Sequence, residues 1–149
     1  MRAVVQRVQK ASVSIGGEIT ASIDKGLMVL VGVEVGDTEK DARYIADKCT
    51  GLRVFDDENQ VPNLSVSDVG GSILAVSQFT LAGDARHGRR PSYIAAERPE
   101  KAKPLFETVK AYMREGGVPV ESGTFMADMQ VSLVNDGPFT ILLNSKKEF

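Results

Sequence analysis

The sequence has few of the residues that build metal clusters, disulfide frameworks or membrane anchors. Its 149 residues include one cysteine, one histidine and no tryptophan. One cysteine excludes an intramolecular disulfide, and one cysteine with one histidine excludes a Cys/His zinc cluster. Cys49 lies on the apolar stripe of a predicted helix, which indicates a buried thiol rather than a nucleophile. No apolar run approaches the ~20 residues of a membrane span, and no basic-then-apolar leader precedes Val4. We therefore expect a soluble, cytoplasmic protein without a metal or other cofactor.

Fixed charges of the two signs nearly cancel along the chain. Eighteen Lys and Arg residues stand against 20 Asp and Glu residues, which gives a formal net charge of −2. A protein that binds nucleic acid over its whole surface would be basic, so any such contact must be local. The candidate is Arg86–Arg90, with three arginines in five residues. Composition alone leaves open that these are ordinary arginines of a solvated loop.

The hydrophobic pattern predicts one domain, residues 1–149, of mixed α and β structure. The chain is 42% hydrophobic and 26% charged, which is typical of a globular protein. Its N-terminal third alternates as strands do, and Gly16-Gly17 within it indicates a hairpin turn. Leu27–Val33 is an unbroken apolar run, which predicts a strand covered on both faces. Ser72–Val76 predicts a second buried strand.

Two amphipathic helices and two closing strands complete the predicted elements. Thr38 and Asp41 form a capping box ahead of the first helix. The second helix ends at Gly116-Gly117 and starts no more than one turn before Pro104, because proline is excluded from a helix interior. The closing strands are predicted over Met129–Val134 and Phe139–Leu143.

Three polar residues follow the apolar strand Ser72–Val76. Continued strand alternation would put Ser77, Phe79 and Leu81 on one face, and Gln78 and Thr80 on the other. The strand either leaves the core here, or ends with free backbone N–H groups where Gln78 and Thr80 orient a polar ligand. The Thr80 hydroxyl is a nucleophile only with a base beside it, and the chain has one histidine to supply one.

The segment Asn135–Thr140 lies between the two closing strands. Its Asp-Gly pair is a strong signal for a tight hairpin turn. Pro138, however, lacks the N–H that would close such a turn. The turn is therefore open, or the Gly-Pro pair has another role.

Together these two segments resemble the signature motifs of the D-aminoacyl-tRNA deacylase family. The motifs are Ser77–Leu81 (Ser-Gln-Phe-Thr-Leu) and Asn135–Thr140 (Asn-Asp-Gly-Pro-Phe-Thr). The resemblance covers the whole chain, including the opening Met1–Val8, Gly88–Tyr93 and Ala127–Val134. Two residues depart from the family pattern: Met126 stands where Gly or Ala is common, and Phe139 where Val is common.

The resemblance implies an activity, a fold and a partner. Members of this family hydrolyse the ester that joins a D-amino acid to the terminal ribose of tRNA. They are homodimers whose active sites lie at the subunit interface. The implied fold is an α/β, three-layer β/β/α sandwich of mostly antiparallel or mixed sheets with two main helices.

The resemblance also assigns roles to individual residues. Substrate binding and chiral selectivity fall to Ser77, Gly137 and Pro138, the last two forming a cis pair inserted into the partner's site. Phe125 and Met129, taken as strand-spaced, either pack on the terminal adenine or belong to the core, and Ala102 matches a family position that lines the adenosine pocket. Arg86, Arg89 and Arg90 bind phosphates of the acceptor stem. The catalytic residues are Gln78, Phe79 and Thr80.

The implied mechanism uses backbone N–H groups near Phe79 and Thr80 to stabilise the oxyanion. The substrate's ribose 2′-hydroxyl would activate water, and a covalent role for the Thr80 hydroxyl is the alternative. A backbone wedge at Gly137-Pro138 would reject L-aminoacyl substrates and admit glycyl-tRNA. Two other functions compete: a related editing hydrolase for mischarged L-aminoacyl-tRNA, and a non-catalytic tRNA-binding module.

Overall fold

The computed structural model describes residues 1–149, which form eight strands and two α-helices. The strands are β1 (Arg2–Ile15), β2 (Glu18–Ile23), β3 (Gly26–Gly32), β4 (Phe55–Asp56), β5 (Pro62–Leu64), β6 (Ser72–Ser77), β7 (Val120–Ser122) and β8 (Gln130–Asn144). The helices are α1 (Glu39–Gly51) and α2 (Pro99–Glu115), and a 3₁₀ helix spans Phe79–Ala82. Neither α-helix has the length and apolarity to cross a membrane.

The long strand β1 organises the main sheet. Its first half pairs with β3 and its second half with β2, both antiparallel. On its other edge β1 pairs antiparallel with β8 along almost its whole length. Beyond β3 the sheet continues through β6 and β7, which are parallel to their neighbours. The register between β1 and β8 shifts on both sides of Val8, so the long ribbon bends there.

Two hydrophobic clusters fill the two faces of the central strands. Helices α1 and α2 cover one face, where Val29 and Ala75 are fully buried. The far halves of β1 and β2 cover the other face, where they bury Met28 and Leu74. The β/β/α layering predicted for the chain is therefore confirmed, and β3 is covered on both faces as its unbroken apolar sequence predicts.

Local signals set the ends of several elements. Gly16 and Gly17 connect β1 to β2 with φ of +58° and +85°, the positive values that a type I′ hairpin turn requires. The Thr38 hydroxyl accepts a hydrogen bond from the Lys40 amide at the start of α1, and the Asp41 carboxylate accepts one from the Thr38 amide, which completes the predicted capping box. Cys49 is fully buried, and burial raises the pKa of its thiol to about 12, so it stays protonated as a core residue.

The prediction of two separate closing strands is wrong. A single strand, β8, runs from Gln130 to Asn144 and follows β1 throughout. The fourteen-residue β1 gives both halves of β8 a common partner, so the chain bulges at Asn135–Thr140 without reversing. The Asn135 side-chain amide donates to the carbonyls of Arg7 and Phe139, which replaces backbone hydrogen bonds lost in the bulge.

The predicted start of the second helix is also wrong. Helix α2 begins at Pro99, so Pro104 lies in its second turn. Proline at the first helical position suits a helix start, because that N–H has no partner in any case. Pro104 and Glu100 both lie on the exposed side of α2, where water reaches the Glu100 carbonyl left without its N–H donor.

Candidate active site

The first motif marks the end of β6 and the beginning of a tight turn. The strand ends at Ser77, and Phe79–Ala82 form the 3₁₀ helix, so the predicted strand alternation through Leu81 is wrong. The chain turns here against Gly32 of β3, where a Cβ would lie 2.9 Å from the Gln78 carbonyl oxygen. Only glycine allows this close passage. The strand therefore ends at Ser77, and the role of Gln78 and Thr80 in orienting a polar ligand stays a prediction.

Two backbone N–H groups at this strand end have no acceptor within the chain. Gln78 still donates to the Val31 carbonyl, and Leu81 donates to the Gln78 carbonyl. The amides of Phe79 and Thr80 lie between them and donate to no backbone or side-chain atom. The first N–H groups of a helix lack intrahelical partners, so the 3₁₀ helix leaves these two available to a ligand.

The Thr80 hydroxyl has no base beside it. Its oxygen accepts a hydrogen bond from the side-chain amide of Gln78, and both side chains are solvent-accessible. An amide N–H does not take a proton from a hydroxyl. The contact therefore orients Thr80 without activating it as a nucleophile.

An apolar cavity of about 550 Å³ opens beside the motif. Its walls come from the end of β6, the start of α2 and the loop 123–129. Six of the predicted site residues line it: Ser77, Gln78, Phe79, Ala102, Phe125 and Met129. These six residues, which lie up to 52 positions apart in the sequence, thus share one cavity that is large enough for a nucleoside.

The loop 123–129 forms one wall of this cavity. The prediction that Phe125 and Met129 are strand-spaced is wrong, because the segment is a turn between β7 and β8. Phe125 packs against Phe106 of α2 with ring centroids 6.3 Å apart. Met129 folds back on Gly123, where a Cβ would lie 2.7 Å from its sulfur. The absence of a side chain at Gly123 leaves room for Met129 in the cavity wall.

The charged groups that line the cavity are both acidic. Glu97 and Asp128 are among the lining residues, and no lysine, arginine or histidine is. A phosphate would be repelled from this lining, whereas an uncharged base with N–H donors would not. The cavity therefore suits a nucleoside whose phosphates remain outside.

The second motif lies outside the cavity. Gly137 and Pro138 are exposed in the bulge of β8, and neither lines the cavity of its own chain. The peptide bond between them is cis, and Gly137 has a φ of +138°. A Cβ on Gly137 would lie 3.1 Å from the Phe139 nitrogen and 3.3 Å from a guanidinium nitrogen of Arg7.

Arg7 supports this bulge from the interior side. Its guanidinium donates to the carbonyls of Asp136 at 3.0 Å and Val54 at 2.7 Å, and lies 4.7 Å from the centre of the Phe139 ring. The Asp136 carboxylate adds an ion pair at 3.7 Å. A mostly buried arginine thus links the segment that carries Gly137 and Pro138 to the chain at Val54 and Asp56.

The sequence offers a signal for Arg7 that its motifs do not. Ala3 and Val5 of β1 are buried against the helices, and Arg7 is two residues further along the same strand. A charged residue on the same strand face as buried apolar residues needs a hydrogen-bonding partner inside the protein. The Asp136 carbonyl in the bulge of β8 is such a partner.

The three arginines of the loop 86–90 differ in their surroundings. Arg86 forms a two-pronged ion pair with Asp84, both contacts at 2.9 Å, which holds the pKa of the Asp84 carboxyl well below its usual range. The guanidinium of Arg86 is therefore already paired. Arg89 and Arg90 are exposed and form no ion pair in the chain, so their charges are free for an anionic ligand.

Comparison with known proteins gives consistent matches over the full chain. The model of a family described as D-Tyr-tRNA(Tyr) deacylase matches residues 4–144. A D-aminoacyl-tRNA deacylase of Koribacter versatilis is 59% identical over 149 residues and covers all of both chains. One from Thermus aquaticus is 53% identical over 148 residues, covering 99% of this chain and 97% of its own.

Two solved structures share the fold. A c-Myc DNA unwinding element binding protein superposes with a TM-score of 0.91 at 39% identity, over 97% of this chain and 98% of that one. A probable eukaryotic D-amino acid tRNA deacylase superposes with a TM-score of 0.83 at 17% identity, over 95% and 97% of the two chains. The second match concerns the fold alone.

Proposed function

The chain belongs to the D-Tyr-tRNA(Tyr) deacylase family, and we propose that it hydrolyses the ester between a D-amino acid and the terminal ribose of tRNA. The observation that carries this proposal is the pair of free amides at Phe79, which lines the apolar cavity, and at Thr80, the next residue of the 3₁₀ helix. Aminoacyl-tRNA is made in the cytoplasm, which is the location that we propose for the protein.

The cavity would hold the terminal adenosine. Phe125, Met129 and Ala102 offer apolar surface to the base, and the acidic lining keeps the phosphates outside. The ester then lies at the rim, beside the 3₁₀ helix. This placement orients the carbonyl oxygen toward the amides of Phe79 and Thr80.

Hydrolysis would proceed by attack of water on the ester carbonyl. The carbonyl oxygen becomes an oxyanion that accepts hydrogen bonds from the two amides, each worth about 2.7–4 kcal/mol by analogy with other acyl-transfer enzymes. The ribose 2′-hydroxyl of the substrate assists deprotonation of the water. The C–O bond to the ribose then breaks, and its oxygen takes up a proton. This route is preferred over a covalent Thr80 intermediate because the Thr80 hydroxyl has no base.

Chiral selection would require a second copy of the chain. Gly137 and Pro138 are exposed and lie apart from the cavity of their own chain, which suits insertion into a partner's site. Strand β8 pairs with β1 alone, and its exposed apolar side chains Val134 and Leu142 offer a surface for a second subunit. We propose a homodimer in which each subunit completes the other's site.

The inserted backbone would read configuration by steric exclusion. Pocket contacts gain only ~1–3 kcal/mol per methylene, too little to spare abundant L-aminoacyl-tRNA. The carbonyls of Gly137 and Pro138, fixed by Arg7, clash with an L side chain whatever its chemistry. Glycine has no side chain to clash, so glycyl-tRNA would also be cleaved.

The tRNA backbone would meet the loop 86–90. Arg89 and Arg90 carry unpaired charges at the surface, and Arg86 contributes less because Asp84 holds its guanidinium. The chain as a whole is slightly acidic, so this local contact supplies the attraction for phosphates.

Deacylation of one tRNA charged with D-tyrosine, L-tyrosine or glycine tests the proposal. We expect hydrolysis of the D-tyrosyl and glycyl esters and at least about 10³-fold slower hydrolysis of the L-tyrosyl ester, about 4 kcal/mol. Preferred cleavage of the L ester would indicate an editing hydrolase for L substrates. Binding of tRNA without any cleavage would indicate a tRNA-binding module.

Gly137→Ala tests the wedge within the same assay. The added methyl group would lie 3.1 Å from the Phe139 nitrogen, at a φ that side chains rarely adopt, so the segment must shift. We expect reduced D-tyrosyl turnover and a smaller D/L ratio. Gly36→Ala is the matched control, since Gly36 also has positive φ (+89°) but meets nothing within 4 Å. An unchanged D/L ratio in Gly137→Ala would contradict the wedge.

A further inference from the structure

Met126 differs from the other four methionines of the chain. Met1, Met28 and Met113 are fully buried in the core, and Met129 is half-buried in the cavity wall. Met126 is 74% exposed at the rim of the same cavity. A large apolar side chain is thus held in water directly beside an apolar cavity.

The backbone at Met126 is unfavourable for a residue with a side chain. The Ala127 amide donates to the Thr124 carbonyl at 3.2 Å, which closes a four-residue turn with Met126 in its third position. Met126 has a φ of +64°, the value that a type II turn requires there and that glycine adopts without cost. Neither the turn nor the core of this chain therefore gains from methionine at this position.

The turn directs neighbouring side chains to different parts of the cavity. Phe125 packs inward on Phe106, and Met129 returns to the wall at Gly123. Met126 lies at the mouth between them and has no side-chain partner of its own among the core clusters. Its flexible thioether can fold over whatever occupies the cavity, and sulfur makes favourable contacts with aromatic rings.

We propose that Met126 closes over the base of the terminal nucleotide and acts as an affinity-determining residue of this chain. The inference rests on the proposed function, in which the cavity holds that nucleotide. Phe125 and Met129 contact the base from the wall, and Met126 covers it from the solvent side. The exposed thioether is buried only when the nucleotide is bound.

Methyl-¹³C methionine spectra of the full chain test this contact without an activity measurement. The protein is titrated with the trinucleotide CCA, and the Met126 signal is assigned by its absence in Met126→Leu. We expect the Met126 and Met129 methyl signals to move upfield with one common midpoint, because both meet the face of a base. The signals of Met1, Met28 and Met113 serve as internal controls and stay in place.

Kinetics of three variants give an independent measurement. Met126→Gly and Met126→Ala should both raise KM for D-tyrosyl-tRNA by about 2- to 10-fold with kcat unchanged, the range of a sulfur–aromatic contact. Met126→Leu keeps most of the apolar area and loses only the sulfur, so its KM should lie between those of the wild type and Met126→Ala. Met126→Gly should also melt at a higher temperature than Met126→Ala, because only glycine relieves the positive φ. This stability difference separates backbone strain from ligand contact.

The outcomes distinguish this inference from the proposed function. If the wild type hydrolyses D-tyrosyl-tRNA while Met126 stays unshifted by CCA, or KM is unchanged in Met126→Ala, the role of Met126 is refuted and the function stands. A Met126 signal that moves on dilution of the protein and not with CCA identifies a subunit contact, which also refutes it. Failure of both Met126 and Met129 to respond, with no hydrolysis, refutes both proposals.

Discussion

Removal of one backbone N–H tests whether the free amides of the 3₁₀ helix stabilise the oxyanion. Phe79→Pro removes the amide of residue 79, and Phe79→Ala removes the same aromatic ring but keeps the amide. The two variants therefore lose the same edge-to-face contact with Tyr93, at 5.3 Å between ring centroids. Their difference isolates the contribution of the N–H group.

The local structure accepts proline at position 79. This residue is the first of the 3₁₀ helix, where proline is favoured, and its amide has no acceptor in the chain to lose. Gln78 precedes it with φ −142° and ψ +87°, outside the helical region that proline forbids to the residue before it. We expect the two variants to have melting temperatures within a few degrees of each other.

The expected loss follows from the value of one oxyanion donor. About 2.7–4 kcal/mol corresponds to a rate about 10²- to 10³-fold lower in Phe79→Pro than in Phe79→Ala. Single-turnover deacylation of D-tyrosyl-tRNA measures this ratio, and circular dichroism checks that both variants are folded. Rates within about threefold of each other in two folded variants would refute a role for the Phe79 amide.

Four further predictions follow from the same structure. Thr80→Ala keeps the amide and should retain D-tyrosyl-tRNA hydrolysis within about tenfold, about 1.4 kcal/mol, whereas a loss on the order of 10⁴-fold in the folded variant would favour a covalent Thr80 intermediate. A tRNA ending in 2′-deoxyadenosine and charged on its 3′-oxygen should bind normally and react at least about 100-fold more slowly, and unchanged turnover would remove the 2′-hydroxyl from the mechanism. The double variant Arg89→Ala/Arg90→Ala should reduce the magnitude of the slope of log affinity for tRNA against log salt concentration by about 2. Arg53 is also exposed, and Arg53→Ala is the matched control that should leave the slope unchanged. Burial raises the pKa of Asp41, but hydrogen bonds from Ser145 and the Thr38 amide outweigh burial and lower the pKa overall. The free energy of unfolding that the wild type gains over Asp41→Asn should therefore be constant above about pH 5 and shrink below about pH 4. Urea unfolding measures this difference, and a difference independent of pH would contradict the prediction.

Elements specified by local sequence are the ones predicted correctly. The Gly16-Gly17 turn, the cap at Thr38 and the buried Cys49 each depend on a few adjacent residues, and the structure confirms them. The apolar run of β3 also predicts its two covered faces, because its sequence leaves no face for water.

Errors arose where a distant partner decides the local structure. The end of β6 depends on Gly32 of the neighbouring strand, and strand alternation within Ser77–Leu81 carries no sign of it. Likewise, β8 continues through its Asp-Gly pair because β1 is long enough to pair with both halves. Turn propensity at Asp136-Gly137 is a local preference of about a few tenths to one kcal/mol, and a continuous ladder of long-range pairs outweighs it.

The two motifs were enough to locate the candidate site in the sequence. They did not predict which other residues line the cavity or how its backbone turns. The resemblance brings Ser77–Thr80 together with Phe125 and Met129, and the cavity does contain most of them. Glu97 and Asp128 belong to neither signature motif, and their charges matter because the fold places both at one cavity. The resemblance marks Met126 as a departure from the family pattern, and the structure adds its positive φ and its exposure.

The bulge of β8 combines an exposed outer side with a fixed inner side. Gly137 and Pro138 face solvent, yet Arg7 donates to the Asp136 carbonyl before them, and the Asn135 side chain donates to the carbonyls of Arg7 on β1 and of Phe139 after them. A loop that ordered only on entering a partner's site would lose conformational freedom at every residue, and this loss would weaken the discrimination that it provides. A segment already held by a buried guanidinium loses little on insertion. If this segment enters a partner's site as proposed, its carbonyls would oppose an L side chain with nearly the full cost of the clash, as a filter based on backbone shape requires.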